Sequence, residues 1–163
     1  MQAALDQLKQ TFGDSILEAG SLYGNEWAQV SAEKIVEVVR YLKETRGLEF
    51  NMMMDLCGVD YPERAERFEV VYHLYSLSTK KRIRLKVRVT EANPTVPSIT
   101  SLYKAANWFE RECFDLFGIR FEGHPNLKRI LLYDEFEGHP LRKDYPVNKR
   151  PTCLPTPDPL IKV

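Results

Sequence analysis

Charged, histidine and tyrosine residues are concentrated between residues 107 and 147, and several of these side-chain types could perform chemistry. A carboxylate can act as a general acid or base, and an imidazole can bind a metal or move a proton. The candidates are Glu110, Arg111, Glu112, Asp115, His124, Arg129, His139, Arg142, Lys143, Asp144 and Tyr145. Three kinds of site follow from these types: a metal centre, an acid–base pair and a partner interface.

A metal centre would have to use the two histidines of this segment. His124 and His139 each follow a glycine and precede a proline. The third ligand would be Asp115, Asp134 or Asp144. Such a site would suit a freestanding metal-dependent hydrolase, but the spacing matches no helix-borne or loop-borne metal motif. We favour a structural role, in which each imidazole hydrogen-bonds to backbone and the proline fixes the following φ.

Acid–base catalysis would require two carboxylates that face one substrate. On a helix, Glu110 and Glu112 point in different directions, so they cannot easily share a substrate. Arg111 and Asp115 are four residues apart and are predicted to pair along one side of that helix. Cys113 falls on an apolar stripe, which indicates a small core residue rather than a nucleophile. Structural or interface pairing is therefore the favoured interpretation over catalysis.

Large apolar side chains lie among these charges. They are Trp108, Phe109, Phe114 and Phe117. A solvated loop would not need so many of them, and a closed core would not hold so many charges. The combination predicts a surface that another protein buries.

Composition limits the remaining function classes. The chain has 163 residues, 28% charged and 44% hydrophobic, which suits one globular domain with or without an arm. Its 23 basic and 23 acidic residues argue against a general nucleic-acid binder. No apolar run approaches the ~20 residues of a membrane span, and the N-terminus has no signal-peptide pattern. Membrane association is therefore expected only through a partner.

The three cysteines, Cys57, Cys113 and Cys153, form no CxxC pair. An iron–sulfur cluster usually needs four thiolates and structural zinc usually uses paired ligands, so reduced thiols are the favoured interpretation. GxGxxG and Walker motifs are also missing from the sequence, which argues against nucleotide binding.

The first half of the chain predicts two helices and a hairpin. A helix is expected over residues 2–12, and a small hairpin over 15–22 and 26–30. Ser31 is the expected N-cap of a helix that runs to about Thr45 and ends at Gly47. A buried strand is then expected over residues 48–56.

Residues 67–77 and 81–89 predict an antiparallel hairpin. The second strand alternates strictly, with Ile83 and its apolar neighbours on one face and a basic stripe on the other. The basic stripe consists of Arg82, Arg84, Lys86 and Arg88. It could meet phosphates, but it has no interleaved exposed aromatics, so a solvated face or an acidic neighbour is favoured.

The C-terminal third predicts one long helix and then little regular structure. Ser98 is expected to cap a helix whose apolar stripe runs from Ile99 to Leu116 and which Gly118 terminates. A short strand is expected over residues 130–133 and extended chain from Pro140 onward. The predicted fold is α+β: an antiparallel or mixed sheet with helices packed on one face, followed by an extended irregular C-terminal arm. We assign residues 1–118 to the globular domain and 119–163 to an arm that contacts partner subunits and is protease-sensitive in the isolated chain.

Three motifs make the chain resemble a known family. They are Glu110-Arg111-Glu112 with Asp115, Gly118 and Ile119; Phe121, Gly123-His124-Pro125, Leu127 and Arg129-Ile130-Leu131; and Gly138-His139-Pro140-Leu141-Arg142-Lys143-Asp144-Tyr145. Together they closely resemble the C subunit of the respiratory NADH–quinone oxidoreductase, complex I. The resemblance covers roughly residues 30–150 and includes the segments 51–61, 72–74 and 97–98 in the same order.

The resemblance implies a cofactor-free component of the peripheral arm that packs against the D subunit near the B subunit. The whole complex passes electrons from NADH through FMN and iron–sulfur clusters to a quinone, coupled to proton translocation. This chain would be a non-catalytic part of that enzyme, held on the cytoplasmic side of the bacterial inner membrane through the complex. The candidate residues from Glu110 to Tyr145 would form its partner interface. An equivalent component of a membrane-bound nickel–iron hydrogenase or formate hydrogenlyase complex is the nearest alternative.

Overall fold

The computed structural model describes residues 4–148. The helices in that range are α1 (Ala4–Phe12), α2 (Ile35–Glu44) and α3 (Ala106–Phe117). The strands are β1 (Ile16–Leu22), β2 (Asn25–Val30), β3 (Met52–Asp60), β4 (Phe68–Ser76), β5 (Lys81–Val89), β6 (Thr95–Pro97) and β7 (Arg120–Glu122). Short 3-10 turns at Gly13–Ser15 and Ala32–Lys34 precede β1 and α2. Within these residues, no helix has the length and apolar character needed to cross a membrane.

Five strands form one mixed sheet in the order β1-β2-β5-β4-β3. The β2–β5 pair is parallel and the other three pairs are antiparallel. A second, two-stranded parallel sheet joins β6 to β7. The helices pack on one face of the large sheet, so the predicted α+β class is confirmed.

The alternation in β5 decides which face of the sheet is buried. Its apolar residues Ile83, Leu85 and Val87 are at most 2% exposed, whereas Arg82 and Arg84 are exposed. Because side chains on a strand alternate in direction, every apolar residue of β5 joins the core beneath the helices. The predicted β4–β5 hairpin is confirmed, with Tyr72 opposite Leu85 in its register.

Helix α2 covers the sheet with a continuous apolar stripe. Ile35, Val38, Val39 and Leu42 recur at helical spacing, and each is 0% exposed. Burial of each such side chain stabilises the fold by roughly 1.5–3 kcal/mol. The helix is present as predicted, but Ser31 makes no side-chain capping hydrogen bond, because the 3-10 turn separates it from the first α-helical turn.

The strand expected over residues 48–56 begins later, at Met52. Glu49 has a φ of 46°, and the Phe50 N–H donates to the Leu42 carbonyl at 2.9 Å. Residues 48–50 therefore close the end of α2 with buried side chains before the strand starts. Burial alone did not distinguish such a turn from a strand.

The long helix predicted from Ser98 is also wrong in its first part. Residues 98–105 form turns, and α3 begins at Ala106. The Ser98 hydroxyl bonds to Glu110 Oε2 at 2.7 Å instead of capping a helix that starts beside it. The apolar residue Ile99 is fully buried in this turn, which is why the sequence imitates a continuous stripe.

Beyond α3 the described chain consists of β7 and otherwise turns and bends. The strand predicted over residues 130–133 is not formed, and residues 141–145 make turns rather than extended chain, with the Tyr145 N–H donating to the Arg142 carbonyl at 3.1 Å. The proline-rich part of the predicted arm, from residue 149 on, and Cys153 lie outside the described residues. The division of the chain at Gly118 stays a prediction.

Candidate functional site

Asp115 organises the segment that follows α3. Its side chain is fully buried, and one carboxylate oxygen accepts the backbone N–H groups of Ile130, Leu131 and Leu132 at 3.0, 2.8 and 2.9 Å. The other oxygen lies 2.7 Å from Arg129 Nη1. Burial raises the pKa of this carboxyl, but the three N–H donors and Arg129 together hold it below its usual value. Asp115 is therefore an ionised side chain that bends the chain at 130–132.

Arg129 extends the same network. Its Nη2 donates to the carbonyls of Phe136 and Gly138 at 2.9 and 3.2 Å. His139 Nδ1 donates to the Asp115 carbonyl at 2.9 Å, and Tyr145 stacks on Phe136 at 6.0 Å between ring centroids. Arg129 and His139, both in the predicted site, thus hold residues 129–139 against the end of α3.

Arg111 binds backbone rather than Asp115. Its Nε donates to the Lys128 carbonyl at 3.1 Å and its Nη2 to the Arg129 carbonyl at 3.0 Å. The predicted Arg111–Asp115 pair is therefore wrong, because Arg129 approaches Asp115 from a distant part of the chain. Helical spacing alone cannot show such a competitor.

Glu110 and Glu112 point in different directions, as predicted. Glu112 is exposed, whereas Glu110 is 0% exposed. The Glu110 carboxyl accepts the Ser98 hydroxyl at 2.7 Å and the Ile99 N–H at 2.8 Å. Burial raises its pKa to about 7, although both donors act in the opposite direction. This buried carboxyl ties the turn after β6 to α3.

Replacement of Glu110 with glutamine should change how stability depends on pH. The folded-state pKa of Glu110 exceeds its ordinary value of 4.5, so its contribution to stability is fully present below pH 4.5 and is lost as the pH rises through about 7. Relative to the wild type, Glu110→Gln should gain about 2–3 kcal/mol between pH 5 and pH 8. Urea unfolding at both pH values measures this difference. Parallel pH profiles for the two proteins would contradict it.

A second cluster attaches the tail to the sheet. Arg67 is buried and forms a bidentate pair with Asp60, at 2.8 and 2.9 Å. It also reaches Glu91 at 2.8 Å and Asp144 at 3.0 Å, and the Lys143 N–H donates to Asp60 at 2.7 Å. Hydrogen bonding to Arg67 holds the pKa of Asp60 below its usual range.

Sequence reasoning did not include Asp60 and Arg67 in the site. Asp60 ends β3 and Arg67 precedes β4, far in sequence from Asp144. The only available signal was the segment 51–61, which contains Asp60 and was matched to the family without a role. A salt bridge between strand ends and a distant turn leaves no periodic pattern.

His139 and Arg142 pack against Gly118, which ends α3 with a φ of 76°. Arg142 Nε donates to the Phe117 carbonyl at 2.6 Å, and its guanidinium lies 4.8 Å from the centre of the Phe68 ring. A Cβ on Gly118 would lie 2.6 Å from both His139 Nε2 and Arg142 Nη2. The tail therefore depends on the missing side chain at residue 118.

Gly118→Ala should destabilise the fold by about 2–4 kcal/mol, since left-handed strain and a clash with the tail add. The matched control is Gly47→Ala: Gly47 has a φ of 86°, but a Cβ there meets nothing within 4 Å. That control should cost only about 1 kcal/mol. Urea unfolding of both variants measures the difference, and equal losses would show that the tail does not press on Gly118.

The imidazole of His124 holds a turn, as the structural interpretation predicted. Its Nδ1 accepts the Asn126 N–H at 3.0 Å, so its Nε2 carries the proton and donates to the Asn107 carbonyl at 3.2 Å. Across residues 4–148, no three His, Cys, Asp or Glu side chains gather in a possible metal site. The predicted third ligand, Asp115, is engaged with backbone and Arg129.

Large apolar side chains remain exposed beside these networks. Trp108 is 61% exposed, Leu131 63% and Leu141 48%. Leu131 follows the bend fixed by Asp115, and the Leu141 N–H donates to the Leu116 carbonyl at 3.1 Å, so both lie along α3. We call Trp108, Leu131 and Leu141 the α3 surface. Its chemistry suits contact with another protein rather than a reaction.

Comparison with known proteins gives consistent results. Residues 28–151 match the family described as respiratory-chain NADH dehydrogenase, 30 Kd subunit. The C subunit of the NADH-quinone oxidoreductase of Roseiflexus sp. (strain RS-1) is 51% identical over 143 residues, which cover 88% of this chain and 82% of that protein. The second of the C subunits of Rhizobium etli (strain CIAT 652) is 47% identical over 86% of this chain and 74% of its own length.

Two solved structures share the fold. The trypsin-resistant fragment (1-134) of Nqo5 superposes with a TM-score of 0.66 and 36% identity, covering 76% of this chain and 99% of that one. A chain of the membrane-bound sulfane sulfur reductase, an archaeal respiratory membrane complex, gives a TM-score of 0.76 at 26% identity, covering 88% and 84%. The length and identity of these matches lead to one conclusion: the chain belongs to the 30 Kd family of respiratory-chain NADH dehydrogenases, whose members include the C subunits of the NADH–quinone oxidoreductases.

Proposed function

We propose that this chain is a non-catalytic, cofactor-free component that braces the peripheral arm of an NADH–quinone oxidoreductase. The assembled enzyme would pass electrons from NADH through FMN and iron–sulfur clusters to a quinone and couple this transfer to proton translocation. This chain would pack against the D subunit, near the B subunit. It would be held on the cytoplasmic side of the bacterial inner membrane by those partners.

The α3 surface carries the proposal. Three large apolar side chains stand exposed on a segment whose charges are already bonded to the chain itself, as with Asp115 and Arg129. Exposed apolar groups on a rigid support gain free energy when a partner covers them, at roughly 25 cal/mol per Å². Internal ion pairs would thus shape the surface, and its apolar residues would supply the contact.

The predicted interface residues divide under this proposal. Asp115, Arg129 and Glu110 would act indirectly, because they are engaged in internal hydrogen bonds. The exposed Glu112 and Lys143 would meet the partner directly, at the polar rim of the interface. Direct contacts at a rim contribute less than the apolar centre.

The test is purification of the tagged chain from its native membranes, with mass spectrometry and an NADH–quinone activity assay on the eluate. We expect the B and D subunits together with the flavin-bearing NADH-oxidising subunits. Co-elution with a nickel–iron protein instead would move the chain to the hydrogenase branch, a possibility kept open by the fold shared with a sulfur-reducing respiratory complex. Recovery of the chain alone with a bound metal would contradict the proposal.

A matched pair of variants localises the contact. Leu131 is 63% exposed on the α3 surface and Leu77 is 59% exposed at the far end of β4. Leu131→Glu should reduce recovery of the D subunit at least tenfold, since a buried unpaired charge costs more than about 1.4 kcal/mol. Leu77→Glu should leave it unchanged. Equal recovery with both variants would remove the α3 surface from the proposal.

A further inference from the structure

The large sheet has a second face that no helix of the described chain covers. The basic stripe of β5 lies on it, beside Trp27 of β2 and His73 of β4, because Arg84 is the register partner of both residues. Near the β1–β2 turn this face curves into a concavity of about 550 Å³. It lies opposite the helices and is therefore separate from the α3 surface.

The stripe divides into satisfied and free cations. Arg88 pairs with Glu69 at 3.0 Å, and Lys86 lies 3.8 Å from the same carboxylate. Arg82 and Arg84 are exposed, and within residues 4–148 neither forms a hydrogen bond or an ion pair. Each presents a planar fork of donors that matches a carboxylate. Two guanidinium groups on one side of one strand, roughly 7 Å apart, thus await external anions.

The remainder of the concavity is apolar. Met54 is 42% exposed and Leu22 60% exposed, and both line it together with the edge of Trp27. Met54 is raised from the regular ladder by an irregularity in the β3–β4 register between Met53 and Asp55. A ligand that fits here needs carboxylates at one end and an apolar side chain at the other.

We propose that this open sheet face docks an acidic segment of another protein, whose carboxylates pair with Arg82 and Arg84 while an apolar side chain packs between Trp27 and Met54. The charge is complementary: among the described residues, three Arg or Lys cations line the concavity and Glu26 is its single lining carboxylate. The proposal goes beyond the α3 surface and uses none of its residues.

Other polyanions fit this face less well. A single-stranded nucleic acid would need a free aromatic face for stacking, but the Lys86 ammonium lies over the Trp27 ring, 4.9 Å from its centre. A flat array of lipid headgroups would contact the rim of a concavity rather than its apolar floor, where Met54 lies. A peptide supplies both functional groups and can enter the recess.

The experiment places a photo-crosslinker at the floor of the concavity. Met54→p-benzoylphenylalanine is introduced into the full chain, the native membranes are irradiated, and the crosslinked partner is identified by mass spectrometry. The same substitution at the exposed Arg40 of α2, on the opposite side, is the control. We expect a crosslink to one protein segment rich in Asp and Glu at residue 54 and none to that segment at residue 40. Crosslinks to lipid or nucleic acid, to a segment without acidic residues, or to nothing would overturn the proposal.

Charge reversal tests the role of the arginines. Arg82→Glu with Arg84→Glu should lower the yield of the residue-54 crosslink about tenfold or more, because attraction becomes repulsion. Lys9→Glu with Arg40→Glu changes the net charge equally on exposed helix positions and should leave the yield unchanged. An unchanged yield with the stripe variant, when its circular dichroism melt matches the wild type, would sink the proposal. Recovery of the D subunit from the same membranes reports on the proposed function separately.

Discussion

Asp115→Ala is expected to lower the free energy of unfolding by about 3–5 kcal/mol, because it leaves Arg129 and three buried N–H groups without their acceptor. Few single changes in this chain remove as many bonds at once. The bend at 130–132 should open, and Leu131 should lose its fixed position on the α3 surface. Urea unfolding measures the stability loss, and amide exchange at residues 130–132 measures the local opening.

Two controls separate charge from geometry. Asp115→Asn keeps one acceptor oxygen but loses the charge, so it should cost about 1–3 kcal/mol. Glu112→Ala removes an exposed carboxylate from the same helix and should change stability by no more than about 0.5 kcal/mol. If Asp115→Ala were as mild as Glu112→Ala, the carboxylate would not be the group that orders the tail.

Arg67→Ala should cost a similar amount, about 3–5 kcal/mol, since it strands the fully buried carboxylate of Asp60 without its cation. The other two partners matter less: the side chains of Glu91 and Asp144 are 54% and 57% exposed. Exposed ion pairs contribute about 0–1 kcal/mol each. Asp144→Asn is therefore the matched control, with an expected loss below about 1 kcal/mol despite its contact with the same guanidinium. Urea unfolding of both variants measures the two losses.

The Arg67 pair also sets a dependence on pH. The folded-state pKa of Asp60 is depressed by its bonds to Arg67, so its contribution to stability is present above the ordinary carboxyl pKa and is lost as the pH falls through the folded value. In Arg67→Ala this acid-sensitive contribution should vanish. Unfolding midpoints between pH 6 and pH 3 measure it, and an unchanged slope in the variant would mean that other carboxylates dominate acid unfolding.

Elements with a strong period were predictable from the sequence, and elements fixed by distant contacts were not. The alternation from Ile83 to Val89 gives β5, and the spacing from Ile35 to Leu42 gives α2. The start of α3 was not predictable, because Ile99 is buried by a turn that Glu110 holds in place from the next element. Local pattern cannot distinguish an apolar turn packed on a helix from another turn of that helix.

The candidate site divides in the same way. Residue types and the family motifs identified the important segment, but not the roles within it. Arg111 and Asp115 had helical spacing for a pair, yet both are bonded to residues 128–132. Asp60 and Arg67 carry the attachment of the tail and were outside the predicted set. Each of these roles depends on tertiary proximity, which spacing along the chain does not encode.

The parallel pairing of β2 with β5 has a consequence for how the chain folds. All of α2, β3 and β4 lies between these two neighbouring strands in the sequence. During synthesis the β1–β2 hairpin therefore leaves the ribosome well before its partner exists, with one edge unpaired. Loop closure favours the antiparallel succession β3-β4-β5, which should form first and serve as the template on which the waiting hairpin docks.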